Sequence, residues 1–209
     1  MSRGGRLPRR FFGRPSLEVA PALLGHVLVR ADPEAGELRA RIVETEAYDE
    51  DDPASHSYRG RRPRTEVMFG RPGFLYVYFT YGMHWCMNVV TDVPGRGSAV
   101  LLRAAEPLDG VDVMRRRRAA RRDRELLAGP ARWTQAFAID GTHDGADLVG
   151  GAEVWLEHGA ALPPGRIGVG ERIGLTVARE RPWRFVDTES AFLSRPWAPL
   201  RRRRPVAPR

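Results

Sequence analysis

Residues 73–88 read GFLYVYFTYGMHWCMN and crowd Phe74, Tyr76, Tyr78, Phe79, Tyr81 and Trp85 among β-forming neighbours, with one break at Gly82. Aromatic side chains suit the pleated, half-buried surface of a strand, where residues two apart share a face. Phe74, Tyr76 and Tyr78 are therefore expected on one side, with Leu75, Val77, Phe79 and Tyr81 on the other. A strand buried on both faces would favour valine, isoleucine and leucine instead. Because a buried tyrosine hydroxyl needs a partner, Tyr76, Tyr78 and Tyr81 suggest flat rings offered to a flat ligand. A tyrosine-rich edge strand fits the stretch taken alone equally well.

Charge narrows the partner. The net charge is +8, the sequence pI is ≈ 10.7, and all 34 basic residues are arginine, a balance that points to a polyanion. Arginine rather than lysine also follows from a GC-rich codon bias, so the excess says more than the residue choice. Without lysine, no Schiff base can form on a side-chain amine. One cysteine, Cys86, excludes an internal disulfide and a cysteine-based metal cluster. No apolar run has membrane-spanning length, and residues 1–12 lack the apolar segment of a signal peptide. A cytoplasmic protein is expected, nucleoid-associated if bacterial.

With 209 residues, 17 prolines and 22 glycines, the chain suits one compact α+β domain with a curved, mostly antiparallel sheet and flanking helices. Residues 1–10 read as a basic flexible arm, 11–199 as the domain and 200–209 as a basic tail. Residues 17–24 form a short helix candidate stopped by Gly25. Strands are expected over 26–30 and 38–46, the second with Leu38, Ala40, Ile42, Glu44 and Glu46 on one face. Asp52-Pro53 supplies a cap and a first-turn proline for a turn carrying His56. Further strands are expected over 99–104, 152–157, 166–169 and 183–186, and helices over 109–127 and from Gly129-Pro130 to Ile139.

Several groups could carry chemistry. Glu44 and Glu46 would lie roughly 7 Å apart on one strand face, a spacing used by inverting sugar hydrolases and equally by any solvated strand. His56 could be a base, a ligand or a stacking ring, or simply structural. The acids at 49–52 are consecutive, unlike a calcium loop or a zinc helix, so no metal or cofactor is expected. Arg103, inside an apolar strand, needs a carboxylate or a substrate to hold, and Glu46 and Glu106 are both candidates. Asn88 is likewise a polar amide where a strand would want an apolar residue. The basic runs at 59–64 and 115–118 are phosphate-sized, and beside stacked aromatics they suit nucleic acid.

RIVETEAY at 41–48, DPASHSYRG at 52–60, MFGRPGFLYVYFTYGMHWCMNVV at 68–90, AVLLRAAEP at 99–107, DRELLAGPARWTQAFAI at 123–139 and RIGVG at 166–170 follow one another in order. Together they resemble the alkyladenine (3-methyladenine) DNA glycosylases of the single-domain type found in mammals and many bacteria. The resemblance implies a monomeric, monofunctional enzyme without metal. It would flip alkylated or deaminated purines, such as 3-methyladenine and hypoxanthine, out of double-stranded DNA and leave an abasic site for base excision repair. It makes Glu46 the general base that positions the attacking water. Arg103 would share that water, and Ile167 would contribute its backbone carbonyl. Tyr48, His56 and Tyr78 become the rings that sandwich the everted base, and Asn88 the side chain that obstructs the 2-amino group of guanine. Tyr81 becomes the wedge filling the duplex, with Met83 beside it, while Arg61 and Arg64 of the basic loop contact DNA. Arg62 and Thr65 of that loop depart from the family pattern.

Two other readings compete. A non-catalytic nucleic-acid-binding module could use the tyrosines as a stacking platform, but it has no need of Glu46, Arg103 and Asn88 together. A glycoside hydrolase built on Glu44 and Glu46 gives no reason for the positive charge.

Overall fold

The computed structural model describes residues 4–198. Its longest strand, β2 (Gly36–Tyr48), pairs along one edge with β5 (Ala99–Asp109). Its other edge is shared, first by β1 (Val27–Asp32) and then, past the point where β1 departs, by β8 (Arg184–Asp187). β3 (Leu75–Thr80) and β4 (His84–Val90) form a hairpin that joins through β4 to β5. β6 (Val154–Glu157) pairs with β1, and β7 (Ile167–Gly170) with β8. The eight strands among the described residues all pair antiparallel, in the order β3-β4-β5-β2-β1-β6 with β8 and β7 branching from β2. The α+β expectation holds.

Period-2 alternation in the hairpin divides the molecule as the sequence indicates. Leu75, Val77, Met87 and Val89 enter the main core, while Tyr76 and Val90 join a second cluster with Met68, Phe69 and Ala99 on the opposite face. Two short helices cover the core face. α2 (Ser16–Ala22) brings Val19 and Ala20; α4 (Pro130–Ala136) begins on a proline at its first turn and buries Trp133 and Ala136, with Phe137 following.

The central pair departs from simple alternation. Ile42 faces Ala105 and Glu44 faces Ala104, so Val43 has no partner; then Thr45 faces Leu102, so Arg103 has none. Here each strand carries one extra residue, a pair of opposed bulges that re-aim side chains and restore the register beyond them; a further shift between Arg39 and Ala40 leaves Leu108 without a partner nearer the strand end. Leu38, Ala40 and Ile42 lie in the core, but beyond the bulge Ala47 does, and the Thr45 hydroxyl donates to the Ala20 carbonyl of α2 (2.8 Å). Glu44 and Glu46 therefore lie on the face opposite Ile42, correcting the single-face expectation.

Other expectations also shift. Residues 4–10 of the expected arm are docked: Leu7 is fully buried, and Arg9, opening α1 (Arg9–Phe12), holds Asp147 at 2.7 Å. The helix expected over 109–127 spans α3 (Val111–Arg118) and ends at Ala119, which adopts a left-handed φ of 46°. The tail at 200–209 lies outside the described residues. No helix among the described residues is long and apolar enough to cross a membrane.

Candidate active site

The opposed bulges deliver two glutamates and an arginine to one point. Glu46 is fully buried and held at both oxygens: Oε1 accepts the Ile173 backbone N–H and Oε2 the Tyr48 hydroxyl, each at 2.8 Å. Arg103 Nε lies 3.5 Å from Oε1 of Glu46 and 3.1 Å from Oε1 of Glu44. Burial pushes the Glu46 carboxyl above its usual range, against the opposing pulls of Arg103, the Ile173 amide and the Tyr48 hydroxyl. A carboxyl raised in this way is suited to take a proton near neutral pH. Glu44 is engaged on every side. It accepts Arg184 Nε (2.7 Å), the Ser194 backbone N–H (2.7 Å) and the Ser194 hydroxyl (2.8 Å).

Tyr48, Arg103 and Ile173, the three groups around Glu46, line a cavity of ≈ 610 Å³ that also takes in His56, Tyr78 and Asn88. His56 and Tyr78 meet edge to face with centroids 4.4 Å apart, and Tyr78 stacks on Tyr76 at 5.5 Å. Tyr76, on the buried side of this aromatic wall, sets its hydroxyl 3.1 Å from His56 Nδ1. The Asn88 amide donates to the Tyr76 carbonyl across the hairpin (3.2 Å).

Burial, with Arg64 nearby, lowers the His56 pKa to about 4; burial and His158 do the same for His26. Both rings are neutral at pH 7. The unfolded chain takes up these protons near pH 6.5, and the folded chain only near 4. The resulting stability is fully present above pH 6.5 and is lost as pH falls toward 4. Urea midpoints should therefore fall between pH 7 and 4.5. A His26→Gln/His56→Gln variant should show a shallower fall, and an equal fall would contradict this origin.

A second buried group supports the cavity. Arg172 and Asp52 form a fully buried ion pair, with Nη2 3.0 Å from Oδ1. The Arg172 guanidinium lies 4.6 Å from the centroid of the Tyr48 ring and 5.1 Å from that of Trp183. The acids at 49–52 are thus engaged within the fold, Asp49 and Asp51 by Arg96, Asp52 by Arg172 and Glu50 by the Gly97 backbone N–H.

At the hairpin tip, β3 ends at Thr80, so Tyr81 opens the turn instead of continuing the strand face of Phe79. It is 81% exposed with φ 52°, Met83 is 67% exposed, and the Tyr81 side of the turn borders the cavity. In the basic loop, the Arg64 charge lies near the Tyr76 hydroxyl and opposes the burial that pushes its pKa up to about 12. Arg61 lies over the Phe69 ring and 3.4 Å from Glu66. Thr65 has a local partner: its hydroxyl accepts the Arg62 N–H (3.0 Å) at the start of the 3-10 helix Pro63–Phe69.

Comparison with known proteins decides the family. The profile described as "Methylpurine-DNA glycosylase (MPG)" matches residues 10–191. The chain belongs to the methylpurine-DNA glycosylase family. It is accordingly a DNA glycosylase, and DNA is its substrate. Similar relatives are each named "Putative 3-methyladenine DNA glycosylase". The one from Burkholderia lata is 50% identical over 197 residues, covering 92% of this chain and 93% of the relative. That from Carboxydothermus hydrogenoformans is 47% identical (90% and 98% covered). That from Streptomyces avermitilis is 48% identical (94% and 95% covered).

For a methylpurine-DNA glycosylase, one assigned position needs correction. Ile167 sits on β7 opposite Asp187, away from the cavity, and no contact joins it to Glu46. The chain carries the triplet Arg-Ile-Gly twice, at 166–168 and 172–174, and the second copy brings Ile173 to Glu46. Reading both triplets would have exposed the ambiguity. Arg172, Asp52 and Ser194 had no such signal, because their partners lie far off in sequence.

Proposed function

We propose that the chain is a monofunctional, monomeric glycosylase that everts damaged purines from duplex DNA and hydrolyses the N-glycosidic bond with water activated by Glu46. The observation that carries this reading is the company Glu46 keeps: both its oxygens are bonded by groups lining the cavity that holds Tyr48, His56 and Tyr78. A base inside a duplex hides its glycosidic bond, so eversion is required, at a cost of a few kcal/mol. Stacking on aromatic rings, about 1–3 kcal/mol per base, offsets that cost. His56, neutral at pH 7, adds no charge of its own to the slot.

In the chemical step the C1′–N bond breaks and its electron pair leaves with the purine. Water then adds to the oxocarbenium-like C1′, and its proton passes to Glu46, whose anion also stabilises the developing positive charge (compare). Free purine and an abasic site are the products. Asn88, locked by the Tyr76 carbonyl, would stand against the 2-amino group of guanine. At the cavity mouth Arg118 and Arg132 lie close enough for their like charges to interact, a seat suited to phosphate. Glu44, saturated by Arg184 and Ser194, speaks against a sugar-hydrolase pair.

Duplexes each holding one 3-methyladenine, 7-methylguanine, hypoxanthine or ethenoadenine test the reading. Enzyme followed by alkali should cut at 3-methyladenine and hypoxanthine. Cutting before alkali, or none at any lesion, would overturn it.

Tyr81 is assigned as the wedge. A left-handed φ costs a non-glycine residue roughly 1–2 kcal/mol, and strain of this kind gathers at functional sites. Tyr81→Gly should raise folding stability by about 1 kcal/mol while slowing base release roughly fivefold or more through lost stacking. Unchanged release in a single-turnover assay would remove Tyr81 from that role.

A further inference from the structure

We propose that Arg172 is a positioning residue that governs Glu46 through two routes at once, with Asp52 as its buried counter-ion. This rests on the reading above that Glu46 is the base. The first route is the backbone. Arg172 is pinned by Asp52 and by the Ala47 carbonyl (Nη1, 3.0 Å), and the residue that follows it, Ile173, donates its amide to Glu46 Oε1. The second route is the ring. The guanidinium carbon lies 4.6 Å from the Tyr48 centroid, and the Tyr48 hydroxyl donates to Oε2.

A cation over an aromatic face draws on its π electrons. The phenol O–H becomes a stronger donor, and a stronger bond to the carboxylate favours its ionised form. Arg172 therefore works against the burial that raises the Glu46 pKa. The ion pair also reaches the aromatic wall: Asp52 Oδ1 accepts the Ala54 N–H (3.2 Å) at the start of the turn that carries His56. A single buried guanidinium thus ties together β2, the His56 turn and the segment after β7.

Other groups facing Glu46 are Arg103 on β5, Glu44 and Tyr48 on β2, Tyr78 on β3, and Arg184, its ladder partner on β8. None of them contacts Glu46 through both oxygens, and Arg103 is shared with Glu44.

The test is the pH dependence of single-turnover purine release from methylated duplex DNA. In Arg172→Gln the acid limb should move up by about one pH unit, a roughly tenfold lower rate on its acid side, with KM little changed. Tyr48→Phe should move the limb in the same direction, and adding Arg172→Gln to it should move the limb by less than Arg172→Gln does alone, through the Ile173 route only. Arg172→Lys should restore part of the shift. If Arg172→Gln does not fold, the neutral pair Asp52→Asn/Arg172→Gln carries the same expectation. A rate lowered equally at every pH, with the limb unmoved, would overturn the proposal and leave Arg172 a merely structural residue. Full activity in Glu46→Gln would instead sink the underlying assignment of the base, so the two failures are distinguishable.

Discussion

Glu46→Gln is expected to stop base release while leaving the affinity for damaged duplex intact. A positioned general base contributes roughly 10²–10⁴-fold, and the same side chain supplies the anion opposite the sugar cation, so a loss of at least about 10³-fold is expected. The amide still accepts the Ile173 N–H and keeps the volume of the acid, so the aromatic slot is undisturbed. Unfolding cannot mimic the result. Burial raises the Glu46 pKa, so ionising this acid weakens the fold as pH climbs past the usual carboxylate range, and the neutral amide carries no such cost. Single-turnover release and gel retardation on one lesion-bearing duplex separate the readings. A binding module would retain whatever it did before; an enzyme loses turnover alone.

Glu44→Met should have the largest effect on stability, about 3–5 kcal/mol, the range found when one member of a buried ion pair is removed. Methionine matches the shape of glutamate but leaves Arg184, only 6% exposed, without its carboxylate and the Ser194 amide without its acceptor. Arg103 would lose the nearer of its two acids. Urea unfolding would measure the loss, and a change under 1 kcal/mol would show that Arg184 finds another partner. In sequence Glu44 reads as an ordinary strand residue. In the fold it anchors the segment containing Ser194 against the site.

Much of the site was legible because its residues sit in unusual local company. Tyr76 and Tyr78 alternate with Leu75 and Val77, and period 2 sorts them to the correct faces without further information. Arg103 in an apolar strand and Asn88 after an aromatic run announce themselves as polar groups needing partners. What stayed hidden depends on single-residue irregularities or long-range pairing. That Val43 and Arg103 lack ladder partners leaves no mark in the sequence, so the face of Glu46 could not be read from counting. Tyr81 belongs to a turn whose only sign was Gly82. Ile173 was masked by a second copy of its own triplet, and the Arg172–Asp52 pair joins positions 120 residues apart.

The opposed bulges at Val43 and Arg103 bear on any transplant of this chemistry. Deleting either residue alone would slide one strand past its neighbour and misalign everything toward Tyr48. Deleting both would restore plain alternation beyond Ile42 and still leave Glu44 and Glu46 on the opposite face, but it would take Arg103 out of the site. An engineer grafting the site onto another sheet must therefore copy its two apparent errors along with its side chains.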